Sequence, residues 1–207
     1  MASGARLTCH REGEGVFELS EPLRLSGNGP PFAVHDFHEL SAATAALVGQ
    51  PELVRRCALI LGGEPLLMQS QMFRHSSGKG VHRDAPFFPL AHPLLALTVW
   101  IAAEPVDVVN GALQLHPGSH RVPPMTWGDA GLRWPHGENA SEIQRHSRAL
   151  ADCLESRGVS RRLLPMQTGD VLFMHPNLAH AAATPEDPAR TRRSIVLHLT
   201  TREASEP

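Results

Sequence analysis

The apolar positions change texture about a third of the way along the chain. Asp36 to Val48 recurs at helical spacing, and so does Pro51 to Leu61, which has a proline suited to a first helical turn and stops at Gly62-Gly63. From Leu66 onward the runs shorten and are punctuated by Gly, Pro and Asn: 66–73, 79–84, 95–103, 111–116, 162–166, 171–175 and 194–200. Many short strands with such punctuation predict a β-sandwich or barrel rather than an alternating βαβ sheet. Before the helices, Gly15 to Ser20 alternates and predicts an edge strand, followed by a loop ending at Gly29-Pro30-Pro31. One helix interrupts the strand series, with Ser141 as its N-cap and Ile143, Ser147, Leu150 and Leu154 on one face, ending at Gly158. Residues 121–161 therefore form a long insertion, a possible substrate lid, between core segments 66–120 and 162–200, with 1–65 as an N-terminal flank of one domain.

Composition narrows the class without choosing a function. The chain has 207 residues, 42% of them apolar and 19% charged, and a formal net charge of -2. That balance suits an ordinary globular domain and gives no support for binding nucleic acid or an anionic membrane. No apolar run nears the roughly 20 residues that span a bilayer, and Met1 to Glu12 carries no apolar signal core. Cys9, Cys57 and Cys153 are widely separated and odd in number, which argues against a disulfide framework and for a reducing, cytoplasmic setting. Nothing in the pattern assigns an oligomeric state, so a monomer is the default.

The chain has 13 histidines and no tyrosine. His82-Arg83-Asp84 falls in a predicted strand, where alternate side chains share a face, so an imidazole and a carboxylate could meet one metal. With a distant histidine they would make a facial triad that leaves open positions for a bidentate co-substrate and dioxygen. Two more such triplets occur, His10/Glu12 and His136/Glu138, and roughly one is expected by chance in a chain this rich in histidine. A second signal is the turn Thr168-Gly169-Asp170, which feeds an apolar strand with His175 at its end and His180 just beyond. A third is Arg190, Arg192 and Arg193, immediately before the strand 194–200, where an arginine could grip a carboxylate through two parallel hydrogen bonds.

Three ordered blocks over about 66–200 resemble the phytanoyl-CoA dioxygenase family of iron(II)- and 2-oxoglutarate-dependent oxygenases. They are His82-Arg83-Asp84 with Pro86-Phe87-Phe88-Pro89 and Trp100; Asn110-Gly111-Ala112-Leu113 with Pro117-Gly118-Ser119-His120; and Gly169-Asp170, Phe173, His175-Pro176 and His180 with Arg192. The resemblance implies a mainly β fold, a double-stranded β-helix (jelly-roll or cupin-like) with flanking helices. It implies iron(II) on His82, Asp84 and His180, with His175 in support. It places the distal carboxylate of 2-oxoglutarate on Arg192, with Arg190 and Arg193 as alternatives, and sets Trp100, Gln69 and Gln71 among the co-substrate contacts. The implied reaction oxidises a C–H bond of a small molecule with dioxygen, releasing succinate and carbon dioxide. Asp84 favours hydroxylation, because related halogenases replace that carboxylate with a small residue to admit halide.

The sequence departs from the family in several places: Arg83 stands where glutamine is common, Ala181-Ala182 follow His180 where a polar pair is usual, and the N-terminal part is short. Two other readings accordingly stand beside the oxygenase. One is a metal-binding β-barrel without 2-oxoglutarate-dependent activity, such as a sensor. The other is a cupin-like dioxygenase that needs no 2-oxoglutarate, and the arginines before the last strand disfavour it.

Overall fold

The computed structural model describes residues 7–11, 15–19, 33–135, 137 and 139–205. Among the described residues there are ten strands: β1 (Leu7–Arg11), β2 (Gly15–Leu19), β3 (Ala33–His35), β4 (Pro65–Phe73), β5 (Leu97–Ala102), β6 (Leu113–Leu115), β7 (Arg162–Leu164), β8 (Val171–Met174), β9 (His180–Ala182) and β10 (Ser194–Thr201). Four α-helices accompany them among the described residues: α1 (Ala42–Val48), α2 (Pro51–Leu61), α3 (Ala140–Ser156) and α4 (Arg202–Ser205). The strands form a seven-stranded sheet, ordered β2-β1-β3-β4-β10-β5-β8, and a three-stranded sheet, ordered β7-β6-β9. All pairings within them are antiparallel. This is the jelly-roll architecture, with β2 at the edge of the large sheet as its alternating pattern predicts.

The two faces of the large sheet carry different chemistry because side chains alternate along a strand. On β5, Leu97, Val99 and Ile101 pack against Leu53 and Cys57 of α2, together with Ile195, Leu197 and Leu199 of β10. Each such aliphatic side chain contributes about 1.5–3 kcal/mol of burial free energy. The intervening residues, Trp100 and Ala102 of β5 and Val196 of β10, face the small sheet and join Leu113 of β6 in a second cluster. Thr98 and His198 lie on that same face, directly opposite one another in the β5–β10 register. The inner face is therefore apolar at one end and polar at the other, and the polar end holds the site.

Local chemistry explains the helix boundaries. In α2, Gln50 caps the first turn, its Oε1 accepting the Leu53 N–H at 2.8 Å, and the helix stops at Gly62 with φ +74°. Gly tolerates that left-handed conformation without a Cβ penalty. The single helix expected over 36–48 is broken instead. Asp36 takes φ 50°, a short 3₁₀ turn covers Phe37–Glu39, and Ser41 starts α1 anew by accepting the Thr44 N–H through its hydroxyl. In α3 the cap is Asn139 rather than Ser141: its Oδ1 accepts the amides of Ser141 and Glu142.

Two strand expectations also change. Residues 79–84 form no ladder and contribute only an isolated antiparallel bridge between His82 and His180. Strands β1, β3 and β9 were not anticipated. The predicted loop ending at Gly29-Pro30-Pro31 lies outside the described residues. Among the described residues, no helix is long and apolar enough to cross a membrane.

Candidate active site

The segment after β4 carries His82 and Asp84, and β9 begins at His180. Two backbone hydrogen bonds of 2.9 Å, exchanged in both directions between His82 and His180, bring the segments together. The amides of Asp84 and Ala85 both donate to the Pro176 carbonyl at 3.0 Å, which turns the chain so that Asp84 faces the two imidazoles. Its Oδ1 lies 3.6 Å from His82 Nε2 and 3.7 Å from His180 Nε2. One ligand atom from each residue lies within 4.8 Å of the other two, and all three residues are buried.

The surrounding hydrogen bonds orient each ligand. His82 Nδ1 donates to the Gly80 carbonyl at 2.8 Å, and His180 Nδ1 donates to the Leu178 carbonyl at 3.0 Å. Both Nε2 lone pairs are thereby directed at the common point. Thr98 donates its hydroxyl to Asp84 Oδ2 at 2.7 Å, which leaves Oδ1 for a cation. Burial, with the Lys79 and His180 charges, holds His82 well below its ordinary pKa, so it is neutral and able to coordinate. Burial alone would raise the Asp84 carboxyl, but His180, His198, His82 and Lys79 outweigh it and hold the carboxyl below its usual range. Two imidazole nitrogens and one carboxylate oxygen on one side of a buried point suit iron(II) with open positions.

The neighbouring sequence blocks supply the support. Ser119 is fully buried, and its Oγ accepts the Ala179 N–H at 2.8 Å, next to His180. Arg83 points away from the site and is 2% exposed. Its guanidinium donates to the carbonyls of Ser119, Val122 and Pro123 at 3.1–3.2 Å, tying the start of the insertion to the ligand loop. Behind both loops, Leu150 and Leu154 of α3 pack with Val81, Val122, Val159 and Ala179. The insertion thus acts partly as a buttress, while Gly137 and Ile143 near the start of α3 reach the cavity.

A single cavity of about 370 Å³ is lined by His82, Asp84, His180, Arg192, Trp100, Gln69 and Gln71, which brings every proposed metal and co-substrate residue together. Arg192 is 2% exposed, and its guanidinium lies 5.5 Å over the Trp100 ring. It donates to the Gly111 carbonyl at 3.3 Å, while its Nε has no hydrogen-bond partner among the described residues. No carboxylate among the described residues pairs with it. Burial lowers its pKa to about 10. A buried cation that is still protonated and lacks a counter-ion is suited to a carboxylate ligand. Gly111 sits at φ +94°, where a Cβ would come within 2.8 Å of Ser76, so the loop beneath Arg192 requires glycine. Arg190 and Arg193 are exposed, and Arg193 pairs with Glu104.

Other expectations resolve differently. His175 lies outside this cavity, its Nδ1 accepting the Asn177 amide at 3.0 Å. Gln71 donates to Gln69 Oε1, and both side-chain amides contact His35, so they form a linked polar wall. Glu12 of the triplet His10/Glu12, and both His136 and Glu138, lie outside the described residues. Thr98, His198, Lys79, His35 and the Arg83 clamp were missed from sequence. For Thr98 and His198 a signal existed: Thr98 is the polar residue of the otherwise apolar β5, and His198 interrupts the apolar run Ile195–Leu199 of β10, each two positions from an inward apolar residue.

A family model described as phytanoyl-CoA dioxygenase matches residues 10–193. Peroxisomal phytanoyl-CoA dioxygenase from Bos taurus is 25% identical over 139 residues, covering 64% of this chain and 39% of that protein. The Homo sapiens protein is 25% identical over 141 residues, covering 64% and 38%. The chain thus matches under half the length of these relatives. Among solved structures, the non-haem α-ketoglutarate-dependent epimerase SnoN from nogalamycin biosynthesis superposes with a TM-score of 0.64 at 24% identity, over 85% of this chain and 65% of that one. EctD from S. alaskensis, solved with 2-oxoglutarate and 5-hydroxyectoine, gives 0.63 at 19% identity, over 83% and 57%.

Proposed function

Because the chain belongs to the phytanoyl-CoA dioxygenase family, we propose that it is an iron(II)- and 2-oxoglutarate-dependent oxygenase that hydroxylates a C–H bond of a small molecule. His82, Asp84 and His180 would hold the metal, and Arg192 would bind the distal carboxylate of the co-substrate. The observation that carries this reading is the placement of Arg192, a buried cation without a counter-ion, in the same cavity as the metal-ligand cluster. A metal-only barrel has no use for such a group, whose burial is costly until an anion joins it.

Bound iron would supply the oxidising chemistry, in which 2-oxoglutarate, dioxygen and the substrate's C–H bond give succinate, carbon dioxide and the hydroxylated substrate. The protein's part is geometric and electrostatic. The backbone bridge and Nδ1 hydrogen bonds fix both imidazoles, and Thr98 fixes the carboxylate. Trp100, beneath the Arg192 guanidinium, and Val196 and Met174 beside it keep this end of the cavity apolar, which strengthens the charge pairing there. The test is succinate formation from 2-oxoglutarate in air with added iron(II). Wild-type protein should form succinate and Asp84→Ala should not; equal formation by both would refute the assignment.

A further inference from the structure

The cavity holds a second cation that the proposed reaction does not use. Lys79 lies three residues before His82, and its backbone is pinned: its carbonyl accepts the Ala182 N–H at 3.0 Å, and its amide donates to Ser77 Oγ at 3.3 Å. Its side chain lines the cavity, with Nζ 5.0 Å from the centre of the Phe87 ring. Among the described residues no carboxylate lies within ion-pair distance of that ammonium. Its charge is nonetheless felt at His82, Asp84 and His198, so an anion seated on it would lie close to the metal ligands.

We infer that Lys79 selects the substrate by binding a carboxylate carried on a small, otherwise apolar body. The inference rests on the iron and 2-oxoglutarate reading. Under that reading, the metal's two positive charges and Arg192 are balanced by Asp84 and the two carboxylates of 2-oxoglutarate. Lys79 is then the cavity's uncompensated charge, and a singly charged acid neutralises it. The remaining walls include Ala33, Met68, Phe87, Phe88 and Ile143, which suit an apolar chain. A volume of about 370 Å³ is near the lower end of small-molecule sites, roughly 300–1,000 Å³, and it must also hold the co-substrate. A thioester carbonyl is neutral and would leave the Lys79 charge unmatched. A phosphate monoester, with a charge of about -1.5 to -2 at neutral pH, would over-compensate the single Lys79 charge.

The test uses straight-chain acids of about four to ten carbons, each paired with its neutral primary amide, since chains of that size fit the space. Binding is measured by calorimetry under anaerobic conditions on protein loaded with iron(II) and saturated with 2-oxoglutarate. In wild-type protein at least one acid should bind about ten-fold or more tightly than its amide, the factor a charge-assisted hydrogen bond supplies. Lys79→Met should abolish that preference, and Lys79→Arg should retain it. The inference is overturned if no acid is preferred over its amide, or if the preference survives in Lys79→Met. The visible charge-transfer band of the iron–2-oxoglutarate complex is recorded first. Its absence from wild-type protein would defeat the iron reading alone. The acid preference is then measured in Arg192→Gln, where Lys79 remains as the cavity cation, and the same two outcomes decide it.

Discussion

His82 and His180 exchange backbone hydrogen bonds in both directions, each 2.9 Å long, and their rings lie 4.2 Å apart. The pair of imidazoles proposed to face the metal is therefore set by main-chain pairing. Asp84 lacks such a bridge to its partners, and its carboxylate is oriented by Thr98. The proposed ligands are thus held by two independent devices, and these can be tested separately.

Thr98→Val removes the hydroxyl donor to Asp84 Oδ2 while nearly conserving shape. Loss of such a supporting partner lowers metal affinity by about 10–100-fold, with little change in the thermal midpoint. Competition titration against a metal-sensitive dye gives the affinity; an unchanged value would mean that Asp84 needs no orienting partner.

Arg192 makes opposite predictions for binding and for stability. Arg192→Met should weaken 2-oxoglutarate binding by a factor of ten or more, since a hydrogen bond to a charged group contributes about 1.5–3 kcal/mol. The unliganded variant should be at least as stable as wild type, because it no longer buries an uncompensated charge. Arg190→Ala and Arg193→Ala should leave the co-substrate requirement unchanged, as both side chains are exposed. Calorimetry and thermal melts on the three variants separate the roles.

Leu150 and Leu154 are 1% and 0% exposed and back the loops that carry His82 and His180. Truncating either to alanine should cost about 2–5 kcal/mol of stability and also weaken metal binding. If the insertion served only as a lid, metal affinity in the folded variants would stay at the wild-type level.

His146 is 7% exposed, lies 5.3 Å from both Trp127 and Trp134, and leaves both ring nitrogens without a hydrogen-bond partner among the described residues. Burial, then the Arg83 charge, lowers its pKa below the ordinary 6.5. The unfolded chain therefore takes up a proton there before the native state does. Stability from this site is fully present above pH 6.5 and is lost as pH falls toward the native value. Denaturant midpoints measured from neutral to mildly acid pH should fall less steeply in His146→Phe than in wild type. Parallel curves would remove His146 from the acid response.

Much of the site was legible because its parts sit at strand ends with distinctive spacing, and β4, β5, β8 and β10 had clear apolar runs. Other parts depend on tertiary pairing that no local pattern reports. The His82 segment reads as a strand, yet it pairs through one bridge, with β9, which is three residues long and too short to show alternation. Arg83 reads as a polar spacer between ligands and proves to be a buried clamp, because the carbonyls that receive it lie on 119–123, remote in sequence. The break before α1 was hidden because the pattern continues through Leu40, while the decision rests on the Ser41 cap and the Asp36 backbone. Choosing among Arg190, Arg192 and Arg193 needed burial, which strand alternation just upstream of β10 does not convey.

The central claim is that one cavity binds iron(II) and 2-oxoglutarate together. The most direct measurement is an anaerobic titration of the metal-free protein with iron(II) and then 2-oxoglutarate, followed by visible absorbance. The account predicts a charge-transfer band that requires both additions and is missing in Asp84→Ala. Iron binding with no band on adding 2-oxoglutarate would contradict it, and would leave a metal-binding β-barrel in its place.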